Sequence, residues 1–128
     1  MDKNSETNTK AKEFFKKAEQ DKKIKTIVNP ALDTLNKLKK ENLIFDIIFI
    51  DADKENYVKY FQLVSEKLNP SGIIISDNVL WSGKVVEGDN DDEETNTLKK
   101  FNRILNEDKK FETVILPLRD GISISRLV

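Results

Sequence analysis

The sequence predicts an α/β fold with one layered sheet. Apolar runs of strand length alternate with segments whose apolar residues recur at helical spacing. The chain closes on two further strand-like runs joined through Asp120-Gly121, a dipeptide typical of hairpin turns. Its 128 residues suffice for one hydrophobic core, so we predict a single domain spanning 1–128.

The first part of the chain predicts two helices and two strands. Apolar residues at three- and four-residue spacing indicate a helix over residues 9–19, and a short apolar run indicates a strand over 24–28. Asn29-Pro30 ends that strand, and a second helix is expected over 31–40. Residues 45–50 are apolar at positions that would face both sides of a sheet, which is typical of a central parallel strand.

The second part predicts two more helices and three strands. Tyr57, Phe61, Val64 and Leu68 would form the buried stripe of one helix, and Leu98, Phe101, Ile104 and Leu105 that of the other. The last strand alternates Ile and Ser, a pattern that suits an edge or half-covered position. In chain order we expect a helix over 55–68 stopped by Asn69-Pro70-Ser71-Gly72, a strand over 72–76, a polar loop over 78–93, a helix over 94–106, and strands over 112–116 and 122–128.

Composition narrows the classes of partner and site. Lys and Arg total 22 against 23 Asp and Glu, so no net positive charge points to nucleic acid or an anionic membrane. The chain has neither Cys nor His, which excludes thiolate and imidazole metal sites and leaves oxygen ligands for Mg²⁺, Ca²⁺ or Mn²⁺. Its polar N-terminus and the lack of a long apolar run predict a cytoplasmic protein.

Two motifs at predicted strand ends carry most of the functional information. Asp51-Ala52-Asp53-Lys54 follows the strand over 45–50, and Asp77-Asn78 follows the strand over 72–76. Open α/β sheets bind ligands just beyond the carboxyl ends of their strands. Two carboxylates, an amide oxygen and an amine at that edge predict a hard-cation site with an adjacent base. Capping of the following segments by Asp51 and Asp77 is an alternative that the spacing leaves open.

Both motifs resemble the cation-dependent O-methyltransferases of the caffeoyl-CoA and catechol type. The matching stretches are Phe45-Asp46-Ile47-Ile48-Phe49-Ile50-Asp51-Ala52-Asp53-Lys54-Glu55-Asn56-Tyr57, Ser76-Asp77-Asn78-Val79-Leu80-Trp81-Ser82-Gly83-Lys84, and Leu116-Pro117-Leu118-Arg119-Asp120-Gly121-Ile122. Asn29-Pro30-Ala31-Leu32 is also similar, although a Gly is more usual at the position of Asn29. The resemblance implies a Rossmann-like methyltransferase sheet, mostly parallel with a C-terminal antiparallel hairpin.

The resemblance also implies an activity, cofactors and an assembly. It predicts methyl transfer from S-adenosylmethionine to a hydroxyl of a catechol-like or caffeoyl-type acceptor that carries vicinal hydroxyls, dependent on a divalent cation, with Mg²⁺ first and Ca²⁺ or Mn²⁺ as alternatives. It also implies a homo-oligomer. The implied metal ligands are Asp51, Asp77 and Asn78, the base or phenolate stabiliser is Lys54, the acceptor pocket includes Trp81, and the donor contacts are Asp2, Ala31, Asp51, Asp53 and Tyr60.

Each of these roles has a structural alternative. Lys54 could be an ordinary first-turn lysine that faces water, and Trp81 could simply cover a loop over the core. Asp53 could bond the donor's amino group, hold Lys54, or be an exposed N-cap residue. Asp2 could belong to a frayed terminus.

The family's glycine-rich donor turn has no counterpart in this sequence. No Gly-x-Gly occurs, so we expect the C-terminal part of a methyltransferase, truncated at its N-terminal side and left with an uncovered apolar sheet edge. The alternative function is a non-catalytic remnant that serves as a binding or oligomerisation module. A nicotinamide dehydrogenase would need Gly-x-Gly-x-x-Gly after a strand, and the lack of any Gly-x-Gly argues against that class of enzyme. The acidic residues 89–94 are interpreted as a solvated loop leading into a helix, rather than a Ca²⁺ loop.

Overall fold

The computed structural model describes residues 1–88 and 92–128. It divides into two compact units, Met1–Lys40 and Glu41–Val128, each of which is described by itself. Of the acidic run over 89–94, residues 89–91 lie outside the described residues. Within the described ranges, no helix has the length and apolar character that crossing a membrane would require.

The unit Met1–Lys40 contains two helices, α1 (Ser5–Lys17) and α2 (Ala31–Leu38). Helix α1 begins at Ser5 rather than at Thr9 because Asn4 caps it. The Asn4 side-chain oxygen accepts hydrogen bonds from the amides of Glu6 and Thr7 at 2.9 and 3.0 Å. These amides have no partner inside the helix, so the cap allows the helix to start earlier than its apolar stripe does.

The strand predicted over residues 24–28 is wrong. In the described unit only Val28 pairs, through an isolated parallel bridge to Asp2. The Asp2 amide donates to the Ile27 carbonyl at 3.0 Å, and the Asn29 amide donates to the Asp2 carbonyl at 3.1 Å. A strand needs a neighbour along its length, and this segment has one only at Val28. The bridge also shows that Asp2 is not a frayed terminal residue.

The unit Glu41–Val128 is built on a sheet of four strands within the described residues. Their order is β1-β2-β4-β3; β1 and β2 are parallel, and the other two pairings are antiparallel. The mixed sheet and its C-terminal hairpin confirm the predicted α/β fold class. The strands are β1 (Phe45–Ile50), β2 (Leu68–Asp77), β3 (Phe111–Leu116) and β4 (Ile122–Leu127).

Strand β2 starts at Leu68 instead of Gly72, so the predicted stop over 69–72 lies inside the strand. Its pairing with β1 is irregular there, because Phe45 pairs with Leu68 whereas Ile47 pairs with Ile73. Such an irregularity accommodates a proline in a strand.

Two strands occupy positions other than those predicted. Strand β1, predicted to be central, pairs only with β2 among the described strands, and its Ile47 and Phe49 side chains are 61% and 60% exposed. The expected uncovered apolar edge is therefore present. Strand β4, predicted to suit an edge or half-covered position, is not an edge strand: it lies between β2 and β3, where Ser123 and Ser125 are buried. Alternation shows which face of a strand is apolar, but it does not show whether the strand has one neighbour or two.

Helices α3 (Tyr57–Val64) and α4 (Glu93–Glu107) supply the core over the sheet. The predicted buried stripes are confirmed for Tyr57, Phe61, Val64, Leu98, Phe101 and Leu105, while Ile104 is only half-buried. Leu68 is buried too, but as the first residue of β2 rather than as part of the helix. The rings of Tyr57 and Phe101 meet edge to face at 5.3 Å. Short 3₁₀ turns, Lys54–Asn56 and Ser65–Lys67, flank α3.

Helix α4 begins after Asp92, which caps it. The described part of the acidic run therefore leads into a helix, as predicted. Asp92 accepts hydrogen bonds from the Thr95 amide at 2.8 Å and from its hydroxyl at 2.7 Å. These bonds hold the pKa of Asp92 below its usual value. Glu93 and Glu94 follow in the first turn, where negative charge is favourable.

Candidate active site

The candidate site lies at the carboxyl ends of β1 and β2. Ile50, the last residue of β1, pairs with Ser76 of β2, so Asp51 and Asp77 follow on neighbouring strands at the same edge of the sheet. Asn78 comes directly after β2 and has a left-handed backbone, with φ of 59°. The parallel pairing of β1 with β2 thus brings the two sequence motifs together.

Lys54 joins the two motifs through its ammonium group. The residue begins the 3₁₀ turn after Asp53 and is only 6% exposed. Its Nζ atom donates to Asn78 Oδ1 at 3.0 Å and to the Asp77 carbonyl oxygen at 3.4 Å, and Asp51 Oδ1 lies 3.7 Å away. Oxygen atoms from both strand ends therefore converge on one positive charge, and the alternative of a water-facing lysine is wrong.

Tyr57 packs its ring against this ammonium. Tyr57 was predicted only as part of an apolar stripe and was missed as a polar site residue. The side chain is fully buried, its ring centroid lies 4.4 Å from Lys54 Nζ, and its hydroxyl contacts that atom. The hydroxyl also donates to the Asp77 carbonyl oxygen at 2.9 Å. Burial raises the pKa of Tyr57, and the charges of Asp51 and Asp77 raise it further, so the hydroxyl keeps its proton. The spacing from Lys54 to Tyr57, one helical turn, was the available signal.

Burial also changes the acidity of Lys54. Loss of hydration lowers the pKa of its ammonium, while the carboxylates of Asp51, Asp77 and Asp120 partly oppose that shift. The neutral amine is consequently easier to reach than in a surface lysine. The Asp51 side chain remains 52% exposed, so one wall of the site is open to solvent.

Asp53 and Tyr60, two of the predicted donor contacts, are joined to each other. The Tyr60 hydroxyl donates to Asp53 Oδ1 at 2.5 Å, and the side-chain Nδ2 of Asn56 donates to Asp53 Oδ2. Asp53 stands at the N-cap position and is exposed, but its side chain makes no capping bond there. Tyr60 is buried; that burial, followed by its bond to Asp53, raises its pKa.

Trp81 lies next to the ammonium. Its ring centroid is 5.9 Å from Lys54 Nζ, and it begins the 3₁₀ segment Trp81–Val86. The indole N–H is buried and finds no acceptor within residues 1–88 and 92–128. This position suits the predicted acceptor pocket, in which a polar substrate atom could accept from that N–H.

Two more of the predicted donor contacts, Asp2 and Ala31, belong to the unit Met1–Lys40. Asp2 forms the bridge to Val28, and its Oδ1 accepts from the Asn4 amide at 2.8 Å. Ala31 is the first residue of α2 and is half-buried. Asn29, bonded to the Asp2 carbonyl, lies two residues before Ala31, so Asp2 and Ala31 belong to one local structure.

The predicted metal ligands fit a hard cation by their donor chemistry. Across the described residues, no cluster of three or more Asp, Glu, His or Cys side chains could hold a metal ion. The predicted set instead combines two carboxylates with an amide, and two of its oxygens, Asp51 Oδ1 and Asn78 Oδ1, already lie around a single ammonium nitrogen. Oxygen donors gathered around one positive charge are what a magnesium-type site uses.

Comparison with known proteins identifies the family. A family model described as "O-methyltransferase" matches residues 1–128. The chain belongs to the O-methyltransferase family. A caffeoyl-CoA O-methyltransferase of Stellaria longipes is 37% identical over 123 residues, which cover 90% of this chain and 51% of that protein. Catechol O-methyltransferase domain-containing protein 1 of Mus musculus is 33% identical over 114 residues, 88% of this chain and 44% of that protein.

Solved structures agree with the fold. The SAH-bound methyltransferase PaMTH1 of Podospora anserina superposes with a TM-score of 0.81 at 30% identity, covering 98% of this chain and 58% of that one. The chain spans about half the length of the curated relatives it matches. These similarities confirm the predicted family and its fold.

Proposed function

We propose that this chain carries the acceptor and metal side of an S-adenosylmethionine-dependent O-methyltransferase. The proposed reaction transfers a methyl group to a hydroxyl of a catechol-like or caffeoyl-type small molecule. The observation that carries the proposal is the convergence of Asp51, Asn78 and the Asp77 carbonyl on the buried Lys54 ammonium, in a chain of this family. The names of the plant and mouse relatives support the acceptor class.

Asp51, Asp77 and Asn78 would hold a divalent cation, with Mg²⁺ favoured by the all-oxygen donor set. Bound there, the cation would lower the pKa of a chelated hydroxyl and orient its oxygen. Lys54 would then take the hydroxyl proton as a neutral amine, or pair with the phenolate as an ammonium. Its lowered pKa supports the first role and its fixed position supports both.

The methyl transfer itself needs orientation more than covalent chemistry from the protein. The acceptor oxygen forms a bond to the methyl carbon while the bond from carbon to sulfur breaks, and the sulfonium leaves as a neutral thioether. Trp81 would hold the acceptor ring beside Lys54. Asp51 and Asp53, both exposed carboxylates, would attract the cationic donor, with Tyr60 as a further contact.

We also propose a cytoplasmic homo-oligomer. The free edge of β1, with Ile47 and Phe49 exposed, gives a second copy an apolar surface to cover.

Calorimetric titration of S-adenosylmethionine into the 128-residue chain tests the donor part of the proposal. Micromolar binding is expected if the chain holds the donor. No heat of binding, with the chain shown to be folded by circular dichroism, would instead favour the non-catalytic remnant.

Titration with Mn²⁺, followed by the loss of its free paramagnetic signal, tests the metal part. Asp77→Ala should weaken Mn²⁺ binding strongly and leave the chain folded. Asp46→Ala is a matched control, because Asp46 bonds Asn69 elsewhere on the same two strands. Equal Mn²⁺ affinity in the Asp77→Ala variant and the unmodified chain would contradict the assigned ligands.

A further inference from the structure

The loop that follows β2 has an unusual backbone. We call residues 78–82 the acceptor loop, since they include Asn78 and Trp81. Three of its non-glycine residues are left-handed: Asn78 with φ of 59°, Trp81 with 49° and Ser82 with 54°. Non-glycine residues disfavour this region, so such a loop persists only where its surroundings hold it.

The surroundings that hold the acceptor loop are the turn between β3 and β4. This turn, residues 118–121, is closed by a hydrogen bond from the Gly121 amide to the Leu118 carbonyl at 2.9 Å. The Val79 amide donates to the Gly121 carbonyl at 3.1 Å, and the Leu80 amide donates to the Asp120 carbonyl at 2.9 Å. Two successive amides of the loop are therefore bound to two successive carbonyls of the turn.

The two segments also fit closely in space. Gly121 has φ of 82°, and a Cβ atom placed on it would lie 2.4 Å from Leu80 Cγ. A side chain at that position would push the turn away from the loop. The turn is thus shaped to accept the acceptor loop.

Asp120 adds a hydrogen bond between its side chain and the acceptor loop. Its Oδ1 accepts a hydrogen bond from the amide of Ser82, the last left-handed residue of the loop. Ser82 lies directly after Trp81, whose ring is next to Lys54. A bond at Ser82 therefore fixes the backbone on which the Trp81 side chain is carried.

We propose that Asp120 is a positioning residue whose carboxylate holds the acceptor loop, so that Trp81 stays beside Lys54. Its functional meaning rests on the proposed function, which places Asn78 and Trp81 in the site. The structural part stands without it, because the bond from Ser82 to Asp120 involves neither donor nor metal. The carboxylate's charge also acts on the Lys54 ammonium, so the test must separate the hydrogen bond from the charge.

Trp81 is the single tryptophan of the chain, so its fluorescence reports on this loop alone. In the 128-residue chain, Asp120→Ala should shift the emission maximum to longer wavelength and raise the acrylamide quenching constant, since the loop is released. Asp120→Asn keeps an oxygen acceptor without the charge and should keep both values near those of the unmodified chain. Asp108→Ala is the matched control: Asp108 likewise accepts from a backbone amide, that of Lys110, in the turn before β3.

The outcomes separate positioning from general stability. A lower melting temperature with an unchanged Trp81 spectrum in the folded Asp120→Ala variant would overturn the proposal. A shift of equal size in Asp120→Asn would also overturn it, because the charge would then be responsible. Amide hydrogen exchange on the unmodified chain covers the case in which Asp120→Ala does not fold: protection of the Ser82 amide is expected, and rapid exchange there would refute the bond. None of these measurements depends on donor or metal binding, so they can succeed or fail independently of the proposed activity.

Discussion

Replacing Tyr57 with Phe tests the arrangement beneath Lys54. The change removes the hydroxyl and keeps the ring, so the packing against Phe101 is retained. It leaves the Asp77 carbonyl without its 2.9 Å hydrogen bond and Lys54 Nζ without one of its buried partners. A buried hydrogen bond to a charged group contributes about 1.5–3 kcal/mol, so we expect the free energy of unfolding to fall by that amount.

Urea unfolding followed by far-ultraviolet circular dichroism measures this loss. With a slope of about 1–2 kcal/mol per molar urea, the midpoint should fall by about 0.8–3 M. Tyr60→Phe is the matched control, because its hydroxyl bonds the exposed Asp53 carboxylate, which water can solvate instead. We expect that control to lose at most about 1 kcal/mol. Equal losses in the two variants would refute the claim that the Tyr57 hydroxyl is a buried structural link between the strand ends.

Three further predictions concern stability. Phe101→Ala should lower the free energy of unfolding by about 3–5 kcal/mol in urea, because Phe101 is fully buried; a loss under about 1 kcal/mol would contradict that burial. Gly121→Ala should lower the melting temperature and red-shift Trp81 emission, since the new methyl group would collide with Leu80; an unchanged spectrum would count against the close fit. Burial and the bond to Asp53 raise the pKa of Tyr60 above 10.0, so the unfolded chain releases this proton first and stability falls as the pH rises above 10.0. Urea midpoints measured across that range should fall less steeply in Tyr60→Phe, and an identical slope would show that Tyr60 adds nothing to the pH dependence.

Local patterns in the sequence were sufficient for much of the fold. The stripes of α3 and α4 were predicted because a helix repeats every 3.6 residues, and a buried face must repeat with it. The bounds of β1 followed from a run of Phe and Ile that only Asp46 interrupts. The start of α1 and the start of β2 were misplaced, because Asn4 extends the helix beyond its apolar stripe and an irregular pairing admits Pro70 into the strand.

The sequence by itself determined the chemistry available to this protein. Without His or Cys, a metal site must use oxygen ligands, and two motifs at strand ends placed Asp51 and Asp77 at one edge of the sheet. Only the tertiary structure decided which groups meet there. Lys54 is buried by packing, and its bond to Asn78 joins residues distant in the chain. The bond from Ser82 to Asp120 does the same. Periodicity records which face of an element is apolar, whereas such contacts depend on how the elements pack, so no local pattern contains them.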